Sequence, residues 1–348
     1  MIFGPSAQIG ISIGTSSVKV AELKKSGKGY SLAHFGVAQL PDGAIVNREI
    51  MNHMAVVDAL KELVSKLKIK GKSVTASLSG AAVIIKKLFL EQTPANELED
   101  AILWEAEQYI PFDINEVVFD YQLINKNGPE GKMEIMLVAV KRAIIDSYTA
   151  VLKDAGLNAK IMDCDLFALQ NIFDVNQPAE QAAVALVDIG AASTKFEISI
   201  GGVPVYTRDS ALGGKDLTTE IQRHLNLSYQ EAEILKIDGA AQGQLPQEVL
   251  DLMHVSAEGV AAEIKRSVDF YVASNAGNAV SYIMMAGGAS RLPGLSKVVE
   301  DTIGLPVQLL NPFTQVGADA KLFTQDYLGV ISGLAAIPVG LAIRGFAK

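Results

Sequence analysis

The chain has 348 residues, 49% of them hydrophobic and 20% charged, with 30 Lys and Arg against 39 Asp and Glu for a formal charge of −9. That length fits about two domains and the apolar share supplies a core for each, which excludes a disordered chain. The acidic balance, with no basic cluster denser than Lys61–Lys72, argues against a nucleic-acid surface, and His34, His53, His224, His254 and the single Cys164 show neither a ligand spacing nor a partner for an internal disulfide.

The stretch "IGISIGTSSVKVAE", Ile9 to Glu22, is a near-continuous apolar run that turns at Gly14 through Thr15, Ser16 and Ser17 and resumes as a second strand carrying Lys19. A turn with so little side-chain bulk lets backbone N–H groups approach a phosphate, although an ordinary hairpin loop has the same composition. "GYSLAHFGVAQL" reads as a third strand, and "NHMAVVDALKELVSKLKI" as a helix with Val56, Leu60, Leu63, Val64 and Leu67 on one face. "SVTASLS" and "AAVIIKKLFL" are strands. Thr93 as N-cap, Pro94 at the first helical position and acids at 97, 99 and 100 predict a helix start, with Leu98, Ile102, Ala106 and Tyr109 at helical spacing. "EVVFDYQLI" and "KMEIMLVAV" pair across "NKNGPEGK", and "RAIIDSYTAVLKDAGL" is a helix stopped at Gly156. Residues from about 82 to 157 thus form an α+β block inserted in the first domain. "AKIMD" returns as a buried strand, Asp165 starts the next helix, and Gln177-Pro178 marks a boundary.

"ALVDIGAASTKFEIS", Ala185 to Ser199, then repeats the opening hairpin: Ile189-Gly190 answers Ile13-Gly14, Ser193 answers Ser17 and Lys195 answers Lys19. The chemical mismatch lies two residues before the glycine, Ser12 in one copy and Asp188 in the other. A strand "GVPVYTRD", a glycine turn at Gly213-Gly214, helices through Ser274, the strand "SYIMM" and the turn "AGGASRLPGL" follow. From Asp326 a last helix crosses back. Its longest uncharged run, Tyr327 to Ile343, approaches membrane-spanning length, but Gly329, Gly333, Pro338 and Gly340 interrupt it and favour a core helix. The expected division is a first domain over 1–178, completed by 326–348, and a second over 179–325. The N-terminus shows no signal-peptide pattern.

"ISIGTSSVK", "VDIGAASTK" and "MAGGASRLPG" resemble, in order and spacing, the first phosphate, second phosphate and adenosine motifs of the actin, sugar-kinase and heat-shock ATPase superfamily. Over nearly the whole chain the closer resemblance is to the PilM family of type IV pilus assembly and then to the FtsA family of cell division, through "SSVKVAEL", "DAGL", "FALQ", the ending "GLAAIPVGLAIRG" and the block at 82–157. This implies an actin-like (ribonuclease H-like) two-domain α/β fold with an inserted FtsA-type α+β subdomain, holding ATP and Mg2+ in its cleft.

By that resemblance, Gly14, Thr15, Ser16 and Ser17 bracket the phosphates from one side, and Gly190, Ala191, Ala192 and Ser193 from the other. Lys19 matches the phosphate-facing lysine, whereas Lys195, also placed in the nucleotide set, has no general counterpart. Gly287 and Gly288, with Ser290 in the same motif, leave room for adenine or ribose, and Gly213 and Gly214 are also placed in the nucleotide set. Glu263 and Arg266 stand where relatives contact ribose and base, and a surface ion pair explains them nearly as well. Asp188 is expected to organise the water shell of the magnesium ion, and Asp165 matches the acid that orients the attacking water, usually a longer glutamate in this family. Ser12 replaces the usual aspartate and cannot supply its charge, so nucleotide binding with slow or absent hydrolysis is implied.

The family captures an N-terminal cytoplasmic peptide of a PilN-type inner-membrane protein and works with other pilus assembly proteins at the inner face of the cytoplasmic membrane, without nucleic acid or membrane insertion and with possible homo-oligomerisation. The expected peptide groove, between first domain and inserted block, draws on Val83, Ile84, Ile85, Leu88, Phe112 and Val117. A sugar or acid kinase is the enzymatic alternative and lacks a spare carboxylate base. An FtsA-like polymer binding membrane directly needs a linker and amphipathic tail beyond the core, so direct membrane sedimentation is expected to fail.

Overall fold

In a computed structural model, which describes residues 7–347 apart from 28, 80–81, 179, 240–242, 244 and 276–278, the alternating apolar residues of the opening stretch form β1 (Ala7–Ile13) and β2 (Ser17–Ser26). They pair antiparallel with Ser12 opposite Lys19. β3 (Gly29–Gln39) continues the meander, a small hairpin of β4 (Ile45–Val46) and β5 (Glu49–Ile50) follows, and α1 (His53–Lys66) starts where the Asn52 side chain accepts the Ala55 N–H. β6 (Ser73–Leu78) returns parallel to β1. β7 (Val83–Leu90), α2 (Leu98–Ala106), β8 (Val117–Asn125) and β9 (Met133–Lys141) build a separate three-stranded sheet in the order β7-β9-β8. α3 (Arg142–Asp154), β10 (Asn158–Cys164) and α4 (Asp165–Asn176) close the first half.

The second half repeats the plan with β11 (Ala183–Ile189), β12 (Thr194–Ile200), β13 (Val203–Ser210), α5 (Gly214–Leu225), α6 (Tyr229–Ile234), α7 (Gln247–Ser274), β14 (Val280–Ala286), α8 (Leu295–Ile303) and β15 (Val307–Leu309). β16 (Val316–Ala318) and α9 (Gln325–Arg344) then return to the first half. The sheet orders β10-β6-β1-β2-β3 and β15-β14-β11-β12-β13 are equivalent, and β16 adds one more edge strand beside β3.

α4 and α9 lie between the sheets. Ala168, Leu169, Ile172 and Phe173 of α4 and Ala335, Ala336, Val339 and Ala342 of α9 share one core with Leu23 and Phe35 of the first sheet and Leu186 and Met284 of the second. Glycine makes the approach possible: a Cβ on Gly340 would lie 1.8 Å from the Ala168 carbonyl oxygen, and one on Gly10 would lie 2.0 Å from that of Pro338. α9 is long and apolar enough to cross a membrane by length and composition, and 72% of its apolar window is buried in this interior.

Two boundaries and the burial of one strand differ from the sequence reading. The inserted sheet has its own core of Leu88, Ile102, Ile135 and Leu137, but α3 does not belong to it, because Tyr148, Val151 and Leu152 pack under the first sheet; the block with its own core runs over 83–141 rather than to 157. Thr93 is not a helix cap: its hydroxyl donates to the Glu91 carbonyl, Glu97 N–H closes a turn on Pro94, and α2 starts at Leu98, where the first side chain finds apolar neighbours. β10 is the edge strand of its sheet and only Cys164 in it is fully buried.

Candidate functional site

β1, β6 and β10 run parallel, as do β11 and β14, and their carboxyl ends meet beside the two hairpin turns. Such strand ends are where open α/β sheets present their ligand-binding groups. Ser12 and Ser77 are register neighbours there, Asp165 follows β10 as the first residue of α4, and Asp188 is the last but one residue of β11. The turns are copies in geometry as well as sequence, with Gly14 N–H donating to Ser17 O at 3.0 Å and Gly190 N–H to Ser193 O at 2.9 Å.

The turns differ in what surrounds them. The second is clamped: Gly214 N–H donates to Gly190 O at 2.9 Å and Lys215 N–H to Ala191 O at 2.7 Å. Gly213 lies so close that a Cβ would be 2.5 Å from Ala191 O. Gly287, at φ +93°, leaves room for a Cβ only 2.3 Å from Ile189 O and 2.6 Å from Asp188 Oδ1. Ser290 caps that bend by donating to Gly287 O at 2.8 Å, and Gly288 follows in the same short turn. Behind it, the buried Lys236 donates to Gly214 O, Thr218 and Glu233 at 3.0, 2.7 and 2.6 Å. The first turn is held less closely: Leu40 N–H donates to Ser16 O at 2.8 Å, and a Cβ on Gly14 would fall 3.3 Å from Ser17 O and 3.7 Å from Lys19 Nζ.

Charge converges from both halves. Lys195 Nζ lies 2.6 Å from Asp188 Oδ2 and 3.1 Å from Asp165 Oδ2, while the Ser77 hydroxyl donates to the other oxygen of Asp165. Burial opposes the Lys195 charge, but the carboxylates of Asp188 and Asp165 more than offset it and hold its ammonium above the usual lysine range. Lys19 goes the other way: burial is the largest influence and Lys195 adds to it, so its affinity for a proton falls despite the attraction of Asp188 and Asp165. Among the described residues no group of three or more His, Cys, Asp or Glu side chains is placed to hold a metal.

Two ion pairs join the halves beside this cluster, Asp42 with Lys215 and Arg48 with Asp209. The sequence reading missed these and Ser77; the position of Ser77 at the end of a strand parallel to β1 was the available signal. Glu263 and Arg266 pair at 2.7 Å, and Glu263 also reaches Arg208 at 3.4 Å. A cavity of about 270 Å³ opens next to Asp165 and Lys195, walled by Val83 to Lys86 of the inserted block and by Thr207, Arg208 and Asp209. Of the expected groove residues, Val83, Ile84 and Ile85 line this cavity, Leu88 and Val117 are core, and Phe112 is exposed under the Lys141 ammonium, 3.8 Å from its ring centre.

The fold is that of the "PilM-PilN type IV pilus biogenesis complex", with which the chain shares 28% identity and a TM-score of 0.88 over 98% of this chain and 99% of that one. Cell division protein FtsA of Streptococcus pneumoniae is 23% identical over 97% of this chain and 83% of its own length. MreB 5 of Spiroplasma citri, solved bound to AMPPNP, shares the fold at 13% identity and a TM-score of 0.53 over 96% of this chain and 94% of that one. The family described as "Type IV pilus assembly protein PilM" matches residues 10–346, and the protein, with its actin-like fold, belongs to that family.

Proposed function

We propose that the protein is an ATP-binding scaffold of type IV pilus assembly that captures the N-terminal cytoplasmic segment of a PilN-type inner-membrane partner and is thereby held at the inner face of the cytoplasmic membrane, in reach of other pilus assembly proteins. The observation that carries the nucleotide half of this reading is the pair of equivalent turns, each free of side-chain bulk, with Lys19 and Lys195 behind them. Opposed turns of this kind donate backbone N–H groups to both sides of a polyanion, and the lysines add charge. The residues proposed for ATP are Ser12, Gly14 to Ser17 and Lys19 in the first half and Asp188, Gly190 to Ser193, Lys195, Gly213 and Gly214 in the second, with Gly287, Gly288, Ser290, Glu263 and Arg266 towards the adenosine. The partner half rests on family membership and on the likeness to a PilM–PilN complex. An extended segment can add to the open edge of β7 or place a side chain in the cavity beneath it.

Hydrolysis is proposed to be slow or absent. A base for the attacking water needs a free lone pair aimed at it, and the Asp165 oxygens are engaged by Ser77 and Lys195. Millimolar ATP should raise the melting temperature, because a ligand of the native state alone stabilises it; an unchanged melting curve removes the nucleotide from the reading. Deleting the N-terminal cytoplasmic segment of the co-expressed PilN-type protein should abolish co-purification, and persistence of the complex rejects that mode of attachment.

A further inference from the structure

The resemblance implied a magnesium ion held through water by Asp188, and the residues present do not fit it. Magnesium keeps most of its own water shell, at about 2.0–2.1 Å, and needs carboxylates with oxygens turned towards that shell. Here the Oδ2 atoms of Asp188 and Asp165 are turned to one ammonium, at 2.6 and 3.1 Å, and the three side chains are each less than a tenth exposed. The other carboxylate oxygen of Asp165 is taken by Ser77, and at Ser12 the carboxylate that would have completed an acidic site is missing. A divalent ion set between these acids would stand against the Lys195 ammonium and leave that lysine buried without an acceptor, which is costly.

We propose that Lys195 is the resident cation of this cleft: a covalently tethered ammonium that stands in for the divalent ion, so that the protein binds ATP without requiring magnesium. The inference rests on the reading of the cleft as an ATP site. Two lysines and two carboxylates leave the cluster without net charge, and the turns and hydroxyls then supply the donors for the phosphates. A compact point charge suits this role, since it imposes no fixed coordination number on the phosphates. It also accounts for Ser12: with an ammonium in place, a further aspartate is not needed to hold a hydrated metal.

The full-length protein is titrated calorimetrically with ATP in excess magnesium and in excess EDTA. The expected result is affinity equal within about threefold in the two buffers, a small difference on the scale where tenfold is about 1.4 kcal/mol. A loss of tenfold or more in EDTA overturns the inference while leaving the ATP reading intact. Binding in neither buffer overturns the ATP reading, and the role of Lys195 is then decided without nucleotide, by electron paramagnetic resonance with Mn2+ alone. Wild type should hold no Mn2+ at this cluster, whereas Lys195→Met, with its two acids released, should gain a site that the additional change Asp188→Asn removes. An Mn2+ site in wild type that Asp188→Asn abolishes overturns the inference, and this arm needs no lysine variant to fold.

Discussion

The two hairpins are the same device in different company. In the first, Lys19 lies opposite Ser12 and the turn touches little beyond itself; in the second, Lys195 lies opposite Asp188, reaches Asp165 in the other half, and the turn is clamped by Gly213, Gly214 and Gly287. The first turn carries one tether, from Leu40 N–H to Ser16 O, and the second is clamped. The difference teaches that the second hairpin holds the halves in register through Asp165, while Lys19 of the first makes no ion pair among the described residues.

The largest effect should come from making the lysines alike. Lys195→Met leaves two buried carboxylates with no cation between them, a loss of about 3–5 kcal/mol in systems where one partner of a buried pair is removed. Lys19→Met should instead leave the melting temperature within about 2 °C of wild type or raise it, because burial already works against the Lys19 charge. The same change should weaken ATP binding about tenfold or more, about 1.4 kcal/mol. Differential scanning calorimetry with and without ATP separates the two outcomes, and equal destabilisation by both variants would erase the contrast.

The turns themselves come next. Gly287→Ala forces a Cβ to within 2.3 Å of Ile189 O from a backbone at φ +93°. Positive φ and overpacking together cost about 3 kcal/mol. Gly14→Ala meets nothing closer than 3.3 Å, so its cost should stay near 1 kcal/mol, as for a typical surface-turn substitution. Chemical denaturation of both variants tests this; a Gly287→Ala protein as stable as wild type would show that the clamp is slack.

The sequence carried the hairpins because their apolar alternation and small-residue turns are local signals, and it carried the repeat because both copies keep Gly and Lys at the same spacing. It carried α4 starting at Asp165 for the same local reason. It did not carry the cap of α2, where Thr93 and Pro94 satisfy the local rule but residues 93–97 have no apolar surface to bury, so the helix waits for Leu98. Nor did it carry β16, too short to show a period, or the Asp165–Lys195–Asp188 cluster, whose members come from elements brought together only by packing of α4 between the sheets.

A smaller contrast lies one step along the same strands. Where β2 buries Ala21 and Leu23, β12 buries Glu197 and Ser199, and neither carboxylate oxygen of Glu197 has a hydrogen-bond partner among the described residues. Burial, and then the charge of Asp174, raise the Glu197 acid well above its usual range. An acid whose folded-state affinity for protons is raised contributes most below its unfolded pKa, and that contribution is lost as pH rises towards the folded value. Glu197→Gln should therefore be nearly neutral at pH 5 and stabilising by about 1 kcal/mol at pH 8. Thermal melts across that range check it, and a parallel pH dependence in both proteins would mean that Glu197 is already charged and solvated.

The least effect is expected where the two turns are joined at the surface. Leu40 N–H donates to Ser16 O in the first turn and Lys215 N–H to Ala191 O in the second, so the Asp42–Lys215 pair links two short segments that are each tied to one turn. Asp42 is 56% and Lys215 40% exposed, which limits the pair to well under about 1 kcal/mol in stability. Its leverage is expected on nucleotide release instead, because moving the turns apart would also part these two side chains. Lys215→Gln should shift the melting temperature by less than about 1 °C yet speed ATP release about two- to threefold at low ionic strength. The change should fade in half-molar salt, where screening acts within about 4 Å. Asp42, held below its usual range chiefly by its hydrogen bond to Lys215, keeps this link charged from neutral pH down through the ordinary carboxylate range, so the release rate of wild type should rise only in more acid solution. Stopped-flow release of a fluorescent ATP analogue reads all three dependences, and a rate that ignores salt, pH and Lys215→Gln alike would place the opening motion elsewhere than between the two turns.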